Sequence, residues 1–80
     1  MRGIDLCTEE TKTLVSYNPD RYDNEPETVK ELRKDFARLI DGLVLKRNSL
    51  DRWEATRNLQ IAITHLEDAC MRAVKAEYTV

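Results

Sequence analysis

Two helical-period apolar stripes, joined by a handful of residues, restrict this chain more than any other feature. Val29, Leu32, Phe36, Leu39 and Leu43 recur at steps of three and four, and Ile40 and Val44 widen the stripe. That spacing is one face of an amphipathic helix. Leu59, Ile63, Leu66, Cys70 and Ala73 repeat the pattern. Between them Lys46 to Leu50 reads as a connection with basic residues at a helix C-terminus. Helices so closely joined lie antiparallel. Asn24 with Glu27, and Asp51 with Glu54, have capping-box spacing, and Pro26 sits where a first turn tolerates it. The second helix is predicted to run to about Glu77.

Upstream, Thr8 to Val15 predicts a short helix with Thr8 as N-cap and Glu9 and Glu10 in the first turn. Ser16 to Pro26 collects both prolines with Asn and Asp, and reads as a loop carrying Tyr17 and Tyr22. The domain plan is a short helix and loop over residues 1–26 and a hairpin over 27–80, one domain in all. The fold class is all-α: a hairpin of two long antiparallel helices with a short N-terminal helix, assembling into a homo-oligomeric bundle.

The oligomer follows from burial. Eighty residues bury only about 60% of their unfolded surface, so a lone copy is marginal. Cys7 and Cys70 have neither disulfide-framework nor metal-ligand spacing around them, which leaves other copies as the source of burial. A further row, Trp53, Ile61, Met71 and Val74, lies partly off the main stripe, and Ala62, Ala69 and Ala76 admit a neighbouring helix closely. One hairpin does not cover so many sides.

Charge narrows the partners. Thirteen basic against fifteen acidic residues give a net −2, which does not support a broad grip on DNA. No stretch approaches the ~20 apolar residues of a membrane span, and no signal peptide is visible, so a soluble intracellular protein is expected. Residues 27–50 are locally basic, with Lys30, Arg33, Lys34 and Arg38 among six cations against four acids. The plain reading of these is a solvated helix face.

Arg57 and Thr64 stand seven residues, two helical turns, apart and point the same way, beside the apolar stripe. They make a plausible half of a ligand or partner site. Against that, Arg57 is placed to pair with Glu54, and mid-helix Thr64 to donate back to the carbonyl four residues earlier. No glycine-rich phosphate loop, metal spacing or nucleophile constellation is present, so neither catalytic residues nor a cofactor are assigned. His65 is expected exposed, Cys70 in the core, Cys7 exposed, and Trp53 a packing anchor. Glu67 and Asp68 point about 100° apart and share no proton.

The run RNLQIAITHLEDACMRAVKA, Arg57 to Ala76, resembles the C-terminal helix of a phage hairpin family that includes anti-CBASS and Thoeris anti-defence sponges. VKELRKDFARLIDGL, Val29 to Leu43, is similar to that family's first hairpin helix. The resemblance implies a homo-oligomer, often a hexamer, that sequesters cyclic dinucleotide or cyclic trinucleotide immune signals without cleaving them, in the cytoplasm of the infected bacterial host. It implies that Arg57 and Thr64 face a phosphate-rich ligand near a threefold axis, that Lys30 contacts phosphate and that Tyr17 stacks on a base. Tyr22 is the alternative to Tyr17, and Arg33 or Lys34 to Lys30. Arg72 stands where many relatives carry an aromatic residue. A protein-interaction module that presents the apolar rows to a host helix is the competing reading, and a small hydrolase the third.

Overall fold

A computed structural model describes residues 3–79; the outermost ends of the two expected segments, residues 1, 2 and 80, lie outside the described residues. Four helices follow a 3₁₀ turn at Ile4–Leu6: α1 (Glu9–Leu14), α2 (Pro19–Tyr22), α3 (Glu27–Ser49) and α4 (Trp53–Tyr78). The described residues are all helix and connections, with α3 and α4 forming the expected hairpin. No described helix is long and apolar enough to cross a membrane.

Several boundaries differ from the sequence reading. The segment from Ser16 to Pro26 is not all loop, because Asn18 caps one turn of helix, its Oδ1 accepting from the amides of Asp20 and Arg21, with Pro19 at the first position. The 3₁₀ turn at the start was not foreseen either. Ile4 within it is buried in the hairpin's core. Lys46 to Ser49 continue α3, so the connection is Leu50–Arg52, since the basic last turn that marks a helix end is itself helical. Neither capping box forms. Pro26 and Arg52 are the N-caps, without side-chain bonds, and Asn24 donates instead to the Asp20 carbonyl.

The buried stripe is also rotated from the expected one. On α3 it runs through Val29, Arg33, Ala37, Ile40 and Val44, meeting Ile63, Cys70 and Val74 of α4. Leu32, Phe36, Leu43 and Leu66 flank this core, whereas Leu39 is 52% exposed. The rotation follows from a third participant. The N-terminal segment lies along one side of the hairpin and contributes Ile4, Thr11 and Val15, so the core is centred between three elements rather than two.

Asp41 latches that segment in place. Its Oδ1 accepts from the Thr8 amide at 3.0 Å and the Thr11 hydroxyl at 2.7 Å, while the Thr8 hydroxyl accepts from the Thr11 amide as the expected N-cap of α1. Arg47 adds a second tie, reaching Glu10 at 2.5 Å and Gln60 of α4 at 2.7 Å. Beyond α1 the chain turns sharply. Ser16 adopts φ 53°, and the Tyr17 amide donates to the Lys12 carbonyl while that of Ser16 donates to Thr13, the Schellman pattern that stops a helix. Tyr17 follows this turn in the connection to α2 and packs, half-buried, against the core.

Candidate functional site

Of the residues expected to bind ligand, one group gathers where α3 begins. The rings of Tyr17 and Tyr22 meet edge to face, with centroids 5.4 Å apart at 66°. The Tyr22 hydroxyl donates to the Lys30 carbonyl at 3.4 Å, and Lys30 Nζ lies 5.9 Å from the Tyr22 ring centroid and 3.6 Å from Glu27. Tyr17 and Tyr22 are therefore neighbours in one cluster. Lys34 follows Lys30 by one helical turn, is half-buried, and has no ion pair among the described residues.

Arg33, the expected alternative to Lys30, is tied up inside the fold. It is only 5% exposed, and its Nε and Nη2 donate to the two Glu25 oxygens at 2.8 and 2.9 Å while Nη1 donates to the Val15 carbonyl at 2.8 Å. Tyr78, at the end of α4, donates its hydroxyl to Glu25 at 3.0 Å. Glu25 is itself buried and precedes α3 by two residues. One guanidinium thus clamps the end of α1, the start of α3 and, through Glu25, the end of α4. Through these bonds it ties together the segments that flank Tyr17 and Tyr22.

These contacts make the fold acid-sensitive. Burial alone raises the Glu25 carboxyl, but hydrogen bonds from Arg33 and Tyr78, with the charges of Arg33 and Arg21, outweigh it and hold Glu25 below the usual range. At Asp41 burial is likewise outweighed, by bonds from Thr8 and Thr11, and at Glu10 the hydrogen bond from Arg47 lowers the carboxyl. Groups depressed in the folded state contribute stability that is whole above the unfolded carboxylate range and lost as pH falls through the folded values. The melting temperature is expected to hold steady above about pH 5 and fall continuously below it; a flat profile into strong acid would show that these bonds carry no net stability.

The second group sits on the exposed side of α4. Arg57 is free of Glu54, its guanidinium carbon resting 5.7 Å from the centroid of the Trp53 ring. Trp53 is 75% exposed and anchors no packing, a correction that follows from its place at the first residue of α4, beyond the reach of the N-terminal segment. Thr64 donates to the Gln60 carbonyl at 3.0 Å, the local bond expected of a helical threonine, and keeps lone pairs to accept with. Arg57 and Tyr78 are about 31 Å apart along α4, and Tyr78 marks the tyrosine end. No single pocket in one copy holds both groups.

Among the described residues no cluster of His, Cys, Asp or Glu is placed to hold a metal ion. His65 is exposed, and Cys70 is buried as expected. Cys7 is half-buried rather than exposed, because the 3₁₀ turn folds back on the core. Burial raises both thiols, with Asp41 adding to the effect at Cys7, so neither is an activated nucleophile.

Compared with known proteins, the chain matches, over residues 10–76, the family model described as Acb2/Tad1, hairpin domain. The match runs from within α1 almost to the end of α4. No curated protein and no solved structure matches.

Proposed function

The chain belongs to the Acb2/Tad1 hairpin family, which is associated with cyclic nucleotide sequestration in phage anti-defence, and we propose that it is a non-catalytic sponge for cyclic oligonucleotide immune signals. The observation that carries this reading is the family match across all four helices. The family is of sponge type and is not a known enzyme family. What supports the reading on the surface is a set of stacking rings, cations and a hydroxyl suited to a nucleotide.

In this reading several copies assemble, six being favoured, in the cytoplasm of the infected bacterium. Arg57 and Thr64 from copies related by a threefold axis surround the phosphates of a cyclic trinucleotide. Symmetry concentrates cations that the net −2 chain lacks as a broad surface. Guanidinium groups grip phosphate bidentately, and resting Arg57 on Trp53 reduces the freedom it loses on binding. At the other end of each hairpin Tyr17, Tyr22, Lys30 and Lys34 take a cyclic dinucleotide, bases on the rings and phosphates on the lysines. The two groups lie too far apart to share one ligand within a copy, which favours two pocket types. Removal of the signal then works by mass action: bound ligand is withdrawn from its receptor, in proportion to copy number and affinity.

Tyr17→Ala is expected to weaken cyclic dinucleotide binding by about tenfold or more, since base stacking on an aromatic ring contributes about 1–3 kcal/mol, while trinucleotide binding changes little. Calorimetry of the variant against both ligand classes checks it. Equal losses for both would argue for one pocket type. The reading as a whole is tested by denaturing the loaded protein and chromatographing what it releases: an intact cyclic nucleotide supports a sponge, and a linear product would reveal hydrolysis.

A further inference from the structure

We propose that a second copy of this chain docks antiparallel across α3 about a twofold axis midway between Leu39 and Gly42, so that Leu39 of each copy seats against Gly42 of the other and Asp35 of each faces Lys46. This rests on the assembly reading above and assigns it a surface. Leu32, Asp35, Leu39, Gly42 and Lys46 step by three and four along α3, and so form one ridge. From Asp35 to Lys46 the ridge is exposed, while Leu32 at its start leans on the core. Asp41, two residues beyond Leu39 and therefore nearly opposite it on the helix, is where α1 is latched, so the N-terminal segment occupies the other side.

Four observations select a second copy as the occupant. The chain exposes 5536 Å², where a compact chain of 9.3 kDa exposes about 5000 Å². Its Cα radius of gyration of 13.2 Å likewise exceeds the about 11.6 Å of a compact domain. Next, Gly42 lies in the interior of α3 with nothing within 4 Å of where a Cβ would stand, a costly residue in a helix unless another backbone or side chain needs that space. Leu39, a large apolar residue 52% exposed, is the knob that fits such a notch. Finally, the ridge is self-complementary in charge: Asp35 on its N-terminal half is held only by an exposed 3.6 Å contact with Arg38, and Lys46 on its C-terminal half has no ion pair among the described residues. Antiparallel pairing, with residue numbers summing to 81 across the axis, matches knob to notch and acid to base at once. A heterologous helix has no reason to satisfy both.

Sedimentation velocity on Gly42→Leu, with far-UV circular dichroism, tests the contact. Leucine improves helix propensity and meets open space in a single copy, so helicity is maintained while the sedimenting mass falls. Lys46→Glu is expected to raise the dissociation constant by about tenfold through loss of two symmetry-related pairs, and Asp35→Lys with Lys46→Glu to recover it. Wild type assembled with all three variants equally assembled overturns this surface and leaves the assembly reading standing. A wild-type single subunit at micromolar concentration overturns both.

Discussion

Arg33→Ala is expected to destabilise the chain by about 3–5 kcal/mol at neutral pH, the cost of leaving a buried carboxylate without its partner. Arg33 and Glu25 side chains are 6% and 2% exposed, and the pair is bidentate with a third bond to the Val15 carbonyl. Removing the guanidinium leaves the Val15 carbonyl without its donor and the buried Glu25 carboxylate with only the Tyr78 hydroxyl and the more distant Arg21. Against a total stability of about 5–15 kcal/mol, much of the fold is at stake, and urea denaturation at pH 7 reads the loss directly. Lowering the pH to protonate Glu25 should narrow the gap between variant and wild type, because the neutral carboxyl no longer needs a cation. A loss under about 1 kcal/mol would mean that water replaces the clamp at little cost, and the account of how Tyr17 is positioned would fail with it.

Arg57→Ala is expected to act on ligand alone. The side chain is exposed and touches only Trp53 among the contacts described, so helicity and assembly should be unchanged. A charge-assisted hydrogen bond contributes about 1.5–3 kcal/mol, and three symmetry-related copies lose at least about 4.5 kcal/mol together, roughly a thousandfold or more in affinity for the trinucleotide. The rise in melting temperature that a saturating ligand gives the native assembly should disappear for that ligand and persist for a cyclic dinucleotide. If the variant instead separates into single subunits, Arg57 is a structural residue and the axial pocket is misassigned.

The hairpin was legible because stripes of period 3.6 need a partner, and α3 and α4 are long enough for the pattern to dominate. Their ends were less so. Capping boxes at Asn24 and Asp51 satisfy a spacing rule, but spacing does not say where the chain has already turned, and α2 consumed Asn24 as its own C-terminal donor. The rotation of the core had a signal that was read as surface: Arg33 falls between Val29 and Ala37 on the apolar face, and a charge at a core position implies a buried partner. Which partner was not legible, since Glu25 lies outside the helix and Tyr78 fifty-three residues away from it. Asp41 was hidden for the same reason, its partners Thr8 and Thr11 being brought to it by tertiary packing alone. At the site, the tyrosines looked like alternatives in a loop until α2 and the turn at Ser16 brought them together.

Isothermal titration of the purified wild-type assembly with cyclic dinucleotides and cyclic trinucleotides, followed by recovery of the ligand, tests sequestration most directly. The expected result is saturable binding with fewer than one ligand per chain, because pockets are shared between copies, and release of every bound molecule unchanged. Absence of heat with all of these ligands, or recovery of a cleaved product, would contradict it.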